Sequence, residues 1–138
     1  MKVTHSTYNF DKSLQNIDNI LNSSENSYEK HKGIPSKERL KYNNGFDVDI
    51  TVVFVDIRGS KELANKHKRP VLAKIYRSYI SEVIAVMKGN STINDIFIEG
   101  DGVWAVFNTL DNDDIQSVLN TTAKISSLIN GEIINPNF

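Results

Sequence analysis

Cysteine is absent from the 138 residues, so neither a disulfide framework nor a thiolate metal site can form. Neither sign of charge dominates: 16 Lys and Arg stand against 17 Asp and Glu, a formal net charge of −1. Without a basic excess the chain has no broad means of neutralising a phosphate backbone, so DNA and RNA are not expected as partners. No window approaches the roughly 18 consecutive apolar residues of a membrane helix, and no membrane partner is expected. The first twenty residues carry Asp11 and Asp18 and lack the apolar run of a signal peptide. The expected location is cytoplasmic, where the Asn-x-Ser/Thr triplets at Asn22, Asn90 and Asn120 have no meaning as glycan acceptors. Internal repeats and low-complexity tracts are missing too.

What is present is an ordinary globular composition, 39% hydrophobic, at a length that supports a real core. Phe10, Leu14, Ile17 and Leu21 recur at steps of three and four, which predicts a helix over 7–22. The polar, aperiodic residues 22–32 read as a loop. Ser36 caps a short helix expected over Lys37–Tyr42, and Asn43-Asn44-Gly45 stops it. Residues 1–46 thus form an N-terminal helical extension without evident chemistry.

From residue 47 to 138 the pattern is that of a second, catalytic-looking region. The unbroken β-branched run Val52-Val53-Phe54-Val55 predicts a central strand buried on both faces, within a strand over 47–57. Ser60 to His67 gives a short helix with Ser60 as its cap, and Pro70 suits the first turn of the next. Val71, Leu72, Ile75, Tyr76, Tyr79, Ile80, Val83, Ile84 and Met87 make a wide helical stripe closed by Gly89. Strands over 93–99 and 103–107 flank Gly100-Asp101-Gly102, a hairpin. Trp104 and Phe107 read as core. Asp111–Asp114 open a last helix, with Ile115, Val118, Leu119, Thr122, Ile125, Leu128 and Ile129 inward. The basic run Lys66–Arg69 reads as solvated surface, and His5, His31 and His67 as scattered surface histidines.

Two acids stand out by position. Asp56 closes the predicted central strand and Asp101 sits on the hairpin tip. Strand ends are where sites open to solvent, and a hairpin paired beside the central strand would bring both carboxylates to one sheet edge. Like charges about 4 Å apart repel by roughly 1 kcal/mol in water and roughly 4 at an effective dielectric of 20. Divalent cations remove that cost, and carboxylates completed by backbone carbonyl and phosphate suit Mg²⁺ or Mn²⁺. Gly59 allows close backbone approach to a ligand, and the helix start at Ser60 offers free amides to an anion.

Phe54-Val55-Asp56-Ile57-Arg58-Gly59-Ser60, followed by Glu99-Gly100-Asp101-Gly102, resembles the class III nucleotidyl cyclase domain. The likeness is greatest to the pyrimidine nucleotide cyclases of bacterial antiphage (Pycsar) defence. Asn44-Gly45-Phe46, the run from His67 to Arg77, and Ile96–Asp101 extend it over residues 44–130. The resemblance implies a ferredoxin-like α/β (α+β) domain, an antiparallel sheet with packed helices. It implies two divalent cations, Mn²⁺ or Mg²⁺, on Asp56, Asp101 and the carbonyl of Ile57, with the amides of Arg58, Gly59 and Ser60 on the β- and γ-phosphates. It further implies a homodimer with composite active sites. The reaction would convert UTP to 3′,5′-cyclic UMP and pyrophosphate, a messenger read by a cyclic-nucleotide-responsive effector. Purine cyclases carry a Lys or Glu three residues before the hairpin Gly. Phe97 stands there and offers no hydrogen bond, which favours a pyrimidine and makes Phe97 a substrate-binding candidate.

In that family further strands and a helix follow the helix at 114–130, carrying a second base contact, an Asn/Arg pair and a phosphate-binding Lys. No match to them precedes Phe138, so the expectation is a domain lacking its C-terminal part, which binds metal-nucleotide weakly and turns over poorly. A cytidylate cyclase making cyclic CMP, and an inactive nucleotide-binding or dimerising module, are the alternatives. A phosphoacceptor Asp56 fits poorly, because alternating βα units are absent.

Overall fold

A computed structural model describes residues 4–24 and 27–129. The chain divides into two compact units, Met1–Val48 and Asp49–Phe138.

The first unit opens with α1 (Phe10–Leu21), capped by the Asn9 side chain, which accepts from the Lys12 amide at 2.9 Å. The predicted loop over 22–32 contains a short strand, β1 (Tyr28–Lys30), paired in parallel with β2 (Gly45–Asp47). Three exposed residues, Tyr-Glu-Lys, carry no alternation for a sequence pattern to detect. The Tyr28 ring lies over Gly45, where any Cβ would collide with it. The helix expected over Lys37–Tyr42 is a single 3₁₀ turn, Lys37–Arg39, and Ser36 makes no side-chain cap. Asn44 explains the early stop. Its Oδ1 accepts from the Lys41 amide at 2.7 Å and its Nδ2 donates to the Arg39 carbonyl at 2.9 Å, taking backbone groups that a helix needs. Arg39 donates to Glu29 at 2.6 Å and meets His31 Nε2 at 2.9 Å, while His31 Nδ1 bonds the Gly33 carbonyl at 2.8 Å. His31 is therefore built into this unit and is not a free surface residue.

The second unit runs β3 (Ile50–Val55), α2 (Ser60–Lys66), α3 (Arg69–Lys88), β4 (Ile93–Glu99), β5 (Gly102–Asn108) and α4 (Asn112–Leu128). Sheet order is β3-β5-β4 with both pairings antiparallel. Thus β3 and β4 run the same way with β5 between them, the split βαβ arrangement of a ferredoxin-like fold. The central strand is β5, which corrects the reading of the Val52–Val55 run. Among the described residues β3 is an edge: Val53 is buried, but Val52 is 52% and Phe54 63% exposed. A run of β-branched residues reports strand propensity and leaves the number of covered faces undecided.

Val53, Val103, Ala105 and Phe107 face Tyr79, Val83 and Met87 of α3 and Val118 and Ile125 of α4 in one core. Trp104, expected in that core, lies on the sheet's other face with Phe97, its partner across the hairpin. Pro70 falls in the first turn of α3 and Gly89 follows its end. Asp111 caps α4, accepting from the Asp114 amide at 2.9 Å.

Helix α4 is rotated from its predicted phase: Thr121 is buried, while Ile115 and Leu119 are exposed. Asn90 sets this rotation. It is buried, donates to Thr121 Oγ1 at 2.9 Å and Ser117 Oγ at 3.2 Å, and accepts from the Thr92 amide at 2.9 Å. A buried amide without partners is costly, so the polar side of α4 turns toward it. Predicted inward residues up to Ile129 are described; the tail from 130 lies outside the described residues.

Candidate active site

The register Val55↔Val103 sets the residue after β3 beside the turn that starts β5. Asp56 is that residue, and Asp101 belongs to the two-residue turn between Glu99 and Gly102. Gly100 holds φ +65°, the left-handed backbone that glycine adopts without strain, and so closes the turn. Asp56 Oδ1 accepts from the Ile57 amide at 2.9 Å. Asp101 Oδ2 is buried with no hydrogen-bond partner.

Beneath them lies Tyr79 of α3, 4% exposed, whose hydroxyl also has no hydrogen-bond partner. Burial pushes the Tyr79 phenol up to about 12, and the charges of Asp56 and then Asp101 push the same way. Both carboxylates therefore act on one buried point, although they come from different strands. Sequence reasoning placed Tyr79 in a packing stripe and missed this. The available signal was a phenol among Ile and Val at a position where Phe packs equally well.

The donor set suits a hard divalent cation. Ionised carboxylate oxygens accept only, and two carboxylates brought to one end of a sheet are relieved of their repulsion by a cation. No group of three or more His, Asp and Glu is arranged to hold a metal among the described residues. Remaining ligands would come from backbone carbonyl, water and phosphate, the usual company of Mg²⁺.

The loop after β3 places the other candidates. Ile57 packs against the core. The cap of α2 is Gly59, in left-handed backbone at φ +72°, and Ser60 is the first helical residue, which corrects its assignment as cap. Gly59 offers no side chain, and its carbonyl accepts from Glu62 and Leu63 at 2.9 and 3.1 Å. Arg58 is exposed. Phe97 lies on the opposite side of the sheet from the α3–α4 core, its ring stacked on Trp104 at 4.1 Å and 16°.

The split βαβ order, with a carboxylate at a strand end and another at a hairpin tip, is that of a class III nucleotidyl cyclase domain in the part that this chain spans. The chain is 40% identical over 109 residues, 78% of its length, to a protein named uridylate cyclase from Gulbenkiania mobilis. It is 30% identical over 122 residues to one from Treponema porcinum, and 34% over 80 residues to one from Burkholderia cepacia. No protein-family model matches it. By sequence, then, the chain is similar to proteins named uridylate cyclase. It spans 42% of the length of the first two relatives. No helix among the described residues is long and apolar enough to cross a membrane.

Proposed function

We propose that this chain carries the metal- and phosphate-binding part of a pyrimidine nucleotide cyclase that converts UTP to 3′,5′-cyclic UMP and pyrophosphate. The observation that supports it most is the strand register that brings Asp56 and Asp101 to one end of the sheet, taken with relatives named uridylate cyclase. Asp56, Asp101 and the Ile57 carbonyl would hold two cations, Mn²⁺ or Mg²⁺. When bound, such ions lower the pKa of the ribose 3′-hydroxyl and neutralise the leaving pyrophosphate. The 3′-oxygen bonds to the α-phosphorus, the bond from that phosphorus to the β-phosphate bridging oxygen breaks, and the 3′-proton leaves to solvent. The amides of Arg58, Gly59 and Ser60 would hold the β- and γ-phosphates. Phe97, without a hydrogen-bonding group, would favour a small pyrimidine over a purine.

The wider reading is a homodimer with composite sites, supported by exposed Ile50, Val52, Phe54 and Phe97 on the sheet face away from the helices. It places the product as a messenger in antiphage defence, read by a separate effector. Because the chain spans 42% of its first relatives, we expect Mn²⁺-dependent pyrimidine nucleotide binding with little turnover from these 138 residues alone. The test is calorimetric titration with Mn²⁺ and each of UTP, CTP, ATP and GTP, followed by product analysis. Tighter binding of UTP than of ATP, lost in Asp56→Asn, supports the reading. Equal or tighter purine binding, or cyclic purine products, would overturn it. Tighter CTP than UTP binding would move the assignment to a cytidylate cyclase.

A further inference from the structure

Among its described residues the second unit buries two side-chain oxygens that are complementary as donor and acceptor and have no hydrogen-bond partner: the Tyr79 hydroxyl and Asp101 Oδ2. A phenol O–H donates, and a carboxylate oxygen accepts on more than one lone pair. An unsatisfied buried hydroxyl is costly, and phenylalanine would fill the same volume without it. Tyr79 therefore spends stability on its oxygen, which packing does not explain. Asp56 already has an oxygen held by its neighbouring amide, at 2.9 Å. No hydrogen bond orients the inner oxygen of Asp101, which stands on a two-residue turn.

The geometry points to Tyr79 as a positioning residue: its hydroxyl donates to Asp101 Oδ2 when a divalent cation is bound, fixing the carboxylate plane that the cation meets. This rests on the assignment of Asp56 and Asp101 as cation ligands. One lone pair of Oδ2 takes the phenol proton and the outer oxygen stays free for the ion. At neutral pH a phenol holds its proton and so can donate. Partners that orient a metal-binding side chain typically change metal affinity by about 10–100-fold when removed.

The experiment measures Mn²⁺ binding to the 138-residue chain by electron paramagnetic resonance, with thermal melting of the metal-free protein alongside. Tyr79→Phe is expected to weaken Mn²⁺ binding about tenfold while the melting temperature stays level or rises, since an orphan hydroxyl has gone. A purely structural tyrosine would show the reverse, a lower melting temperature at unchanged affinity. Asp56→Asn and Asp101→Asn should each abolish binding. If they do and Tyr79→Phe binds like wild type, the positioning role falls and the ligand assignment stands. If wild type binds no Mn²⁺, both fall. A readout independent of variants is proton NMR of wild type with Mg²⁺, which should bring up one slowly exchanging tyrosine hydroxyl. Mg²⁺ binding without that signal also overturns the role.

Discussion

The ring of Phe97 lies on the ring of Trp104, centroids 4.1 Å apart and planes 16° from parallel, across the hairpin from β4 to β5. In the proposed base-binding role, an aromatic pair without a hydrogen-bonding atom on Phe97 would select by shape and stacking. Stacking of a base on an aromatic ring is worth about 1–3 kcal/mol. Phe97→Ala is expected to weaken UTP binding about tenfold with the fold intact, and Phe97→Lys to narrow the preference for UTP over ATP. Titration of both nucleotides into each variant checks this. A Phe97→Ala chain with wild-type UTP affinity would confine Phe97 to packing.

One of the five tyrosines should titrate late in the metal-free chain. Tyr79 is pushed up to about 12 in the folded state against an ordinary 10. The folded form thus keeps a proton that the unfolded chain loses. The group therefore makes no pH-dependent difference below pH 10, and stability falls as pH rises from 10 through about 12, because the buried phenolate is disfavoured. At roughly 1.4 kcal/mol per pH unit the gap corresponds to roughly 2–3 kcal/mol. Absorbance at 295 nm should show a phase near that upper pH, absent in Tyr79→Phe and earlier in Asp101→Asn.

Asn90→Ala removes four side-chain hydrogen bonds, to Ser117, Thr121 and twice to Thr92. Losing these bonds at a buried position, with Thr121 Oγ1 keeping only its bond to the Ser117 carbonyl, is expected to cost about 2–3 kcal/mol. Urea denaturation should show an earlier midpoint with an unchanged slope.

Gly100→Ala meets no atom within 4 Å, so its only penalty is a left-handed backbone at φ +65°. About 1 kcal/mol of stability is expected to go, together with a measurable weakening of Mn²⁺ binding as Asp101 shifts. An unchanged Mn²⁺ affinity would mean that the turn does not set the position of Asp101.

Much of the second unit was legible because its signals are local. Pro70 and Gly89 bracket α3, and Gly100-Asp101-Gly102 makes a hairpin whichever strand it joins. The misread parts depend on distant partners. Val52 and Phe54 look buried, yet they lie on the sheet face that no described helix covers. Leu119 looks inward until Asn90, far away in sequence, draws Thr121 in its place. In the first unit, the Asn44 side chain ends the turn at Arg39 through a capture that helix propensity does not contain. At the site, Asp56 and Asp101 were singled out by position, whereas Tyr79 was hidden in an apolar stripe. Only a three-dimensional arrangement distinguishes a tyrosine that packs from one whose buried hydroxyl has no partner.

Interposing β5 between β3 and β4 has a kinetic consequence. The β4–β5 hairpin closes over two residues and can form early, but β3 docks only through contacts such as Ile50↔Asn108, distant along the chain. Such non-local pairing is the slow part of assembly. Asp56 therefore meets Asp101 only after the last long loop has closed, and ion capture would act as a reporter of finished folding.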